Sequence, residues 1–211
     1  MAKSTDALWL KIAGICGFLT PIIAFALIFS AIASYPEFSW LDNALSYLGI
    51  VEGNTAVLFN SGLLAGGALC IIFATGLFVY LNKHIAGKIG ASVFLLGSLA
   101  LFAIGVFPEN IRPTHYIVSV MFFTLLPISM LIITGAFWLM HKARMAAFTL
   151  LVAVAAATPW VLYFSIPYAP NVAVPEAISA FAGAVWAAVL SGKMLRKAAR
   201  PKLHNAAQNS S

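Results

Sequence analysis

Residues 55–88 read TAVLFNSGLLAGGALCIIFATGLFVYLNKHIAGK: an uncharged run from Thr55 to Leu81, then Lys83 and Lys88 close together. Crossing the hydrocarbon core of a bilayer takes about 20 apolar residues, so this run is long enough to span it. The same unit recurs along the chain. Six apolar runs, at about residues 10–33, 55–81, 89–107, 116–140, 146–166 and 176–195, divide the sequence. The charges are sorted between the gaps. Lys3 and Lys11, Lys83 and Lys88, Lys142 and Arg144, and Lys193, Arg196, Lys197, Arg200 and Lys202 fall in alternate gaps. Glu37, Asp42, Glu52, Glu109 and Glu176 fall in the others, and only Arg112 and Asp6 break the pattern. Lys- and Arg-rich loops stay in the cytoplasm. The expected protein is therefore an all-α integral membrane bundle of six transmembrane helices, multi-pass in the cell membrane, with both termini cytoplasmic.

Composition agrees. The chain is 62% apolar and 9% charged, against roughly 25% charged in a soluble domain, and its mean hydropathy is +0.98. Residues 1–200 are expected to form one bundle, and 201–211 a polar cytoplasmic tail. The net charge of +6 belongs to the loops and tail that face anionic headgroups, so a nucleic-acid partner is not expected and the bilayer is. Cys16 and Cys70 lie inside apolar runs with no paired spacing, which points to no disulfide, metal or other cofactor. The first run, from Ile12 to Ala33, is longer than a signal-peptide core of about 7–15 residues, so it is read as a retained helix. Gly62-x-x-x-Gly66 in the second run invites a close helix neighbour, more readily within the chain than between chains.

The outer gaps hold the informative polar residues. In the first, Ser39 followed by Asp42 resembles a capping box and Gly49 a helix stop. Trp40, Leu41, Ala44, Leu45 and Leu48 share one face at helical spacing. A short amphipathic helix is therefore expected from about Trp40 to Leu48, lying on the surface or dipping into the bundle. The second gap carries Glu109, Arg112 and His115. The third ends at Glu176, where the first turn of a helix favours a carboxylate.

Phe38-Ser39-Trp40, Asn43-Ala44-Leu45-Ser46 and Leu48-Gly49, with Phe59-Asn60 and Phe107-Pro108 before His115, resemble the signature of the prokaryotic membrane-protein family called domain of unknown function 998. Tyr47 stands where that pattern carries an acid. The resemblance extends from the first span to the sixth. It implies a six-span archaeal or bacterial membrane protein and implies no activity.

Three roles follow from the residues. Polar groups at a bundle mouth are costly unless paired. Asp42, Asn60, Arg112, Glu109 and Glu176 therefore serve either to cap helices and hold the first loop down, or, with Asn43, to bind a lipid headgroup or a partner membrane protein, Arg112 being the anion contact. The alternative is a lipid-acting hydrolase, with Ser46 as nucleophile, His115 as base and Asp42 or Glu176 orienting it.

Overall fold

The computed structural model describes residues 2–166 and 168–199; the tail at 201–211 lies outside them. Six long helices carry the chain: α1 (Ala2–Ala33), α2 (Asn54–Tyr80), α3 (Ile85–Val106), α4 (Thr114–Leu139), α5 (Ala143–Ser165) and α6 (Ala173–Ala199). A seventh, the short 3-10 helix Leu45–Ile50, stands in the first loop. No strand occurs among the described residues. Each long helix contains a stretch long and apolar enough to cross a membrane. Helices satisfy their own backbone, which is what a hydrocarbon environment demands. The long helices are apolar nearly all round and still expose large side chains such as Phe164 and Leu151, as lipid-facing surfaces do. Pro21 and Pro159 interrupt α1 and α5. Beside them the hydroxyls of Thr20 and Thr158 donate to the carbonyls of Cys16 and Val154, at 2.9 and 2.8 Å, so neither hydroxyl is left unpaired in an apolar setting.

The helices form a ring in chain order. Each packs on the next, α6 closes the ring against α1, and α4 meets α6 only sparsely. Small residues set the close approaches. A Cβ on Gly67 of α2 would lie 2.6 Å from the Cα of Phe102 in α3, so nothing larger than glycine fits there. Gly62 and Gly66 face Leu27 and Ala24 of α1; the Gly-x-x-x-Gly pair is used within the chain. Between α5 and α6, the Ser179 hydroxyl donates to the Ala156 carbonyl at 2.6 Å and the Trp186 indole to Thr149 Oγ1 at 3.3 Å.

Two packed cores result. One surrounds Phe73, Phe94 and Trp186, whose rings meet edge to face or tilted, and reaches Leu81 and Met194. The other gathers Ile28, Leu45, Leu48, Phe59, Leu63 and Ile104 beneath the first loop. The ends of the bundle differ in charge. Lys83, Lys193 and Lys197 lie within electrostatic reach of Lys142 at one end. The first loop, Glu109, Arg112 and Asn171 share the other.

Candidate functional site

The first loop departs from its expected form. An amphipathic helix over Trp40–Leu48 is replaced by a turn and then the 3-10 helix Leu45–Ile50. The capping pair does form: Ser39 Oγ donates to Asp42 at 2.6 Å and accepts from the Asp42 amide at 3.2 Å. It closes only one turn, because the Asn43 side chain accepts the Ser39 amide at 2.8 Å and Ala44 goes extended, at φ −85° and ψ 154°. Short polar side chains compete with helix in this way. Trp40 and Leu41 are consequently exposed, while Ala44, Leu45, Ser46, Leu48 and Gly49 are buried. Gly49 ends no helix. Its place is fixed by Asn60 of α2, whose amide donates to the Gly49 carbonyl at 2.9 Å. A Cβ on Gly49 would lie 2.6 Å from Asn60 Oδ1.

Ala44 supplies no cap to the loop helix. The cap comes from α6, 131 residues along the chain: Glu176, buried, accepts the Leu45 amide at 2.7 Å and interacts with the Ser46 amide as well. A carboxylate at the positive end of a helix is favoured by both hydrogen bond and dipole. The Ser46 hydroxyl donates to Glu109 at 3.3 Å. The other oxygen of Glu109 accepts from Arg112 at 3.1 Å, a pair in which the arginine is 72% exposed. Asp42 and Asn43 tie the third loop down through their carbonyls, to the Asn171 amide side chain at 3.0 Å and the Ala173 N–H at 3.3 Å. Ser46, Glu109, Glu176, Asn60, Asn43 and Asp42 thus form one connected roof.

His115 is buried beside α3. Its Nδ1 lies 2.7 Å from the Phe107 carbonyl, which can only accept, so Nδ1 carries the proton. Nε2 is then the acceptor, and Ser119 Oγ donates to it at 3.4 Å. No hydrogen bond joins Ser46 to His115 among the described residues. Ser119 was missed in the sequence because a lone serine on a helix usually bonds its own backbone, as Ser92 and Ser98 do here.

Beneath the roof lies a cavity of about 120 Å³ between the two cores, lined by α1, α2, α3, α4 and α6. Its volume is roughly eight times the minimum needed for one water. The lining is overwhelmingly apolar, with Glu176, Ser46 and Ser119 near the roof and Thr20, Cys70 and Ser98 deeper in. The space exists because α6 presents Ala180, Gly183, Ala184 and Ala187 below Glu176, on one face at helical spacing. From Glu176 to Ala187 that face runs about 16 Å. The spacing is visible in the sequence, but nothing there shows that the face looks inward. Among the described residues no three His, Cys, Asp or Glu gather as metal ligands.

A ring of six apolar helices around a roofed cavity defines a multi-pass membrane protein, and the bilayer is its environment. The chain belongs to the family described as "Protein of unknown function (DUF998)", whose model matches residues 18–193. No curated protein and no solved structure matches it.

Proposed function

We propose that this protein binds a lipid or other single-chain amphiphile, taking the apolar chain into the central cavity and the polar head at the roof. The observation that carries the reading is the small-residue face of α6, which keeps open an elongated apolar space ending at a buried carboxylate. An apolar chain in such a space gains roughly 25 cal/mol for each Å² of its surface removed from water. The roof is acidic: Glu176 lines the cavity, Glu109 bonds Ser46 in the roof, and Arg112 is engaged outside it. A head that donates hydrogen bonds, such as an amine or hydroxyl, therefore suits it better than an anion, which moves the emphasis from Arg112 to Ser46, Glu109 and Glu176. The charge sorting of the loops supports a roof on the outer face and a lysine-bearing end in the cytoplasm. The test is cavity filling. Ala184→Leu should remove binding of a fluorescent acyl amine to the purified protein while leaving thermal stability equal or higher; undiminished binding would overturn the reading.

One observation favours a second reading, a lipid-acting hydrolase. The Ser119 hydroxyl lies on the cavity wall and donates to a histidine whose tautomer is held by the Phe107 carbonyl. That is the relation of nucleophile to base, with Ser119 rather than Ser46 beside the histidine.

A further inference from the structure

The lysine-bearing end holds an arrangement that the roof and cavity do not use. Tyr80, at the end of α2, is buried, and two ammonium groups stand over its ring: Lys142 Nζ 5.1 Å and Lys197 Nζ 5.2 Å from the centroid. Lys142 also stands 5.8 Å from the Phe137 ring. The α4–α5 turn puts it there. His141 takes φ 55°, the Lys142 amide donates to the Phe137 carbonyl at 2.9 Å, and the His141 amide donates to the Trp138 carbonyl at 2.9 Å. These are the paired bonds of a Schellman turn, and they fold Lys142 back over the end of α2.

Lys83 and Lys193 add their fields to the same place. Lys193 and Lys197 share a face of α6, where like charges four residues apart repel. Asp6 partly offsets Lys197, and the one ion pair among the described residues is at the other end of the bundle. Aromatic faces hold ammonium groups well but leave their charge unneutralised. Burial and the neighbouring lysines hold the Lys142 ammonium below the usual lysine range. Trp138, strongly exposed near the end of α4, sets this end at the level of the headgroups.

We propose that Lys142 and Lys197, held over Tyr80 and backed by Lys83 and Lys193, form a binding site for the phosphate of an anionic bilayer lipid. The phosphate bridges the two ammonium groups, while the lipid chains run along the exposed apolar side chains of the neighbouring helices. A free phosphate offers the same chemistry, but the bilayer presents its phosphates at this depth at high local concentration.

The experiment uses the full chain in a neutral detergent. Dioctanoyl phosphatidylglycerol and dioctanoyl phosphatidylcholine are added in separate arms, and bound lipid is counted by native mass spectrometry, with the shift in Tm as a second readout. The protein should retain the anionic lipid in preference. Lys142→Gln with Lys197→Gln should weaken that binding roughly 30-fold, and Lys11→Gln, a lysine outside the cluster, should not. If the double variant does not fold, Lys83→Gln with Lys193→Gln should reduce the preference in the same direction. Equal retention of the two lipids, or undiminished binding by a folded cluster variant, overturns the proposal. Displacement of the lipid by millimolar inorganic phosphate overturns the lipid as the source of the phosphate.

Discussion

Glu176, on the first turn of α6, accepts the Leu45 amide at 2.7 Å and so caps a helix in the first loop from the far end of the chain. The bond is buried on both sides. An amide left without its acceptor in such a place costs about 1–3 kcal/mol. Glu176→Leu should therefore lower stability by about that much. Glu176→Gln keeps a carbonyl oxygen for the amide and should lose clearly less. Thermal unfolding in detergent measures both; equal losses would mean that charge rather than the hydrogen bond holds the roof.

Glycines at two positions should respond oppositely to the same change. Gly67→Ala drives a methyl into the backbone of Phe102 and should cost about 1–3 kcal/mol. Gly135 has nothing within 4 Å of the added carbon, so Gly135→Ala should stabilise by about 0.5–1 kcal/mol through helix propensity. Unfolding midpoints of the two variants, compared in one detergent, decide the matter. A neutral Gly67→Ala would mean that α2 and α3 are less closely apposed than the structure has them.

The hydrolase reading makes its own demand. A fluorophosphonate that reacts with activated serines should label the purified protein, and Ser119→Ala should abolish the label. Ser46→Ala should leave it, since that hydroxyl is bonded to Glu109. An unlabelled wild-type protein would leave chain binding as the sole function of the cavity.

Orientation is tested by access. With Cys16 and Cys70 replaced, single cysteines at Glu37, Arg112 and Asn171 should react with an impermeant thiol reagent added to intact cells. One at Lys142 should not. The reverse pattern would place the roof in the cytoplasm.

How much of this was legible in the sequence depends on where each residue's partners lie. The six helices were, because lipid forbids long charged runs and each apolar run is long enough to cross it. The sequence leaves Asn60 and Arg112 as either loop fastenings or ligand contacts; in the structure Asn60 bonds the Gly49 carbonyl and Arg112 pairs with Glu109, each partner within a short stretch of chain. The register of the first loop was not. Ser39 and Asp42 signalled a cap, but the Asn43 side chain ended the turn, and a local pattern cannot weigh two such competing bonds. Glu176 was assigned to its own helix dipole, whereas its hydrogen-bond partner lies 131 residues away. The cavity was the least visible feature. Alanines and glycines on α6 read equally as close packing, and only the placement of α1 and α4 against α6 leaves them facing a space.

The closing of the ring by α6 against α1 bears on how the molecule is made. A chain is synthesised from its N-terminus, so the first five spans can be in the bilayer as an open trough before the sixth emerges. The sixth brings both the last wall and Glu176, the fastening of the first loop. Until then the interior stands in contact with membrane lipid. On the chain-binding reading proposed above, a hydrophobic guest would be enclosed during biogenesis itself, before the ring closes.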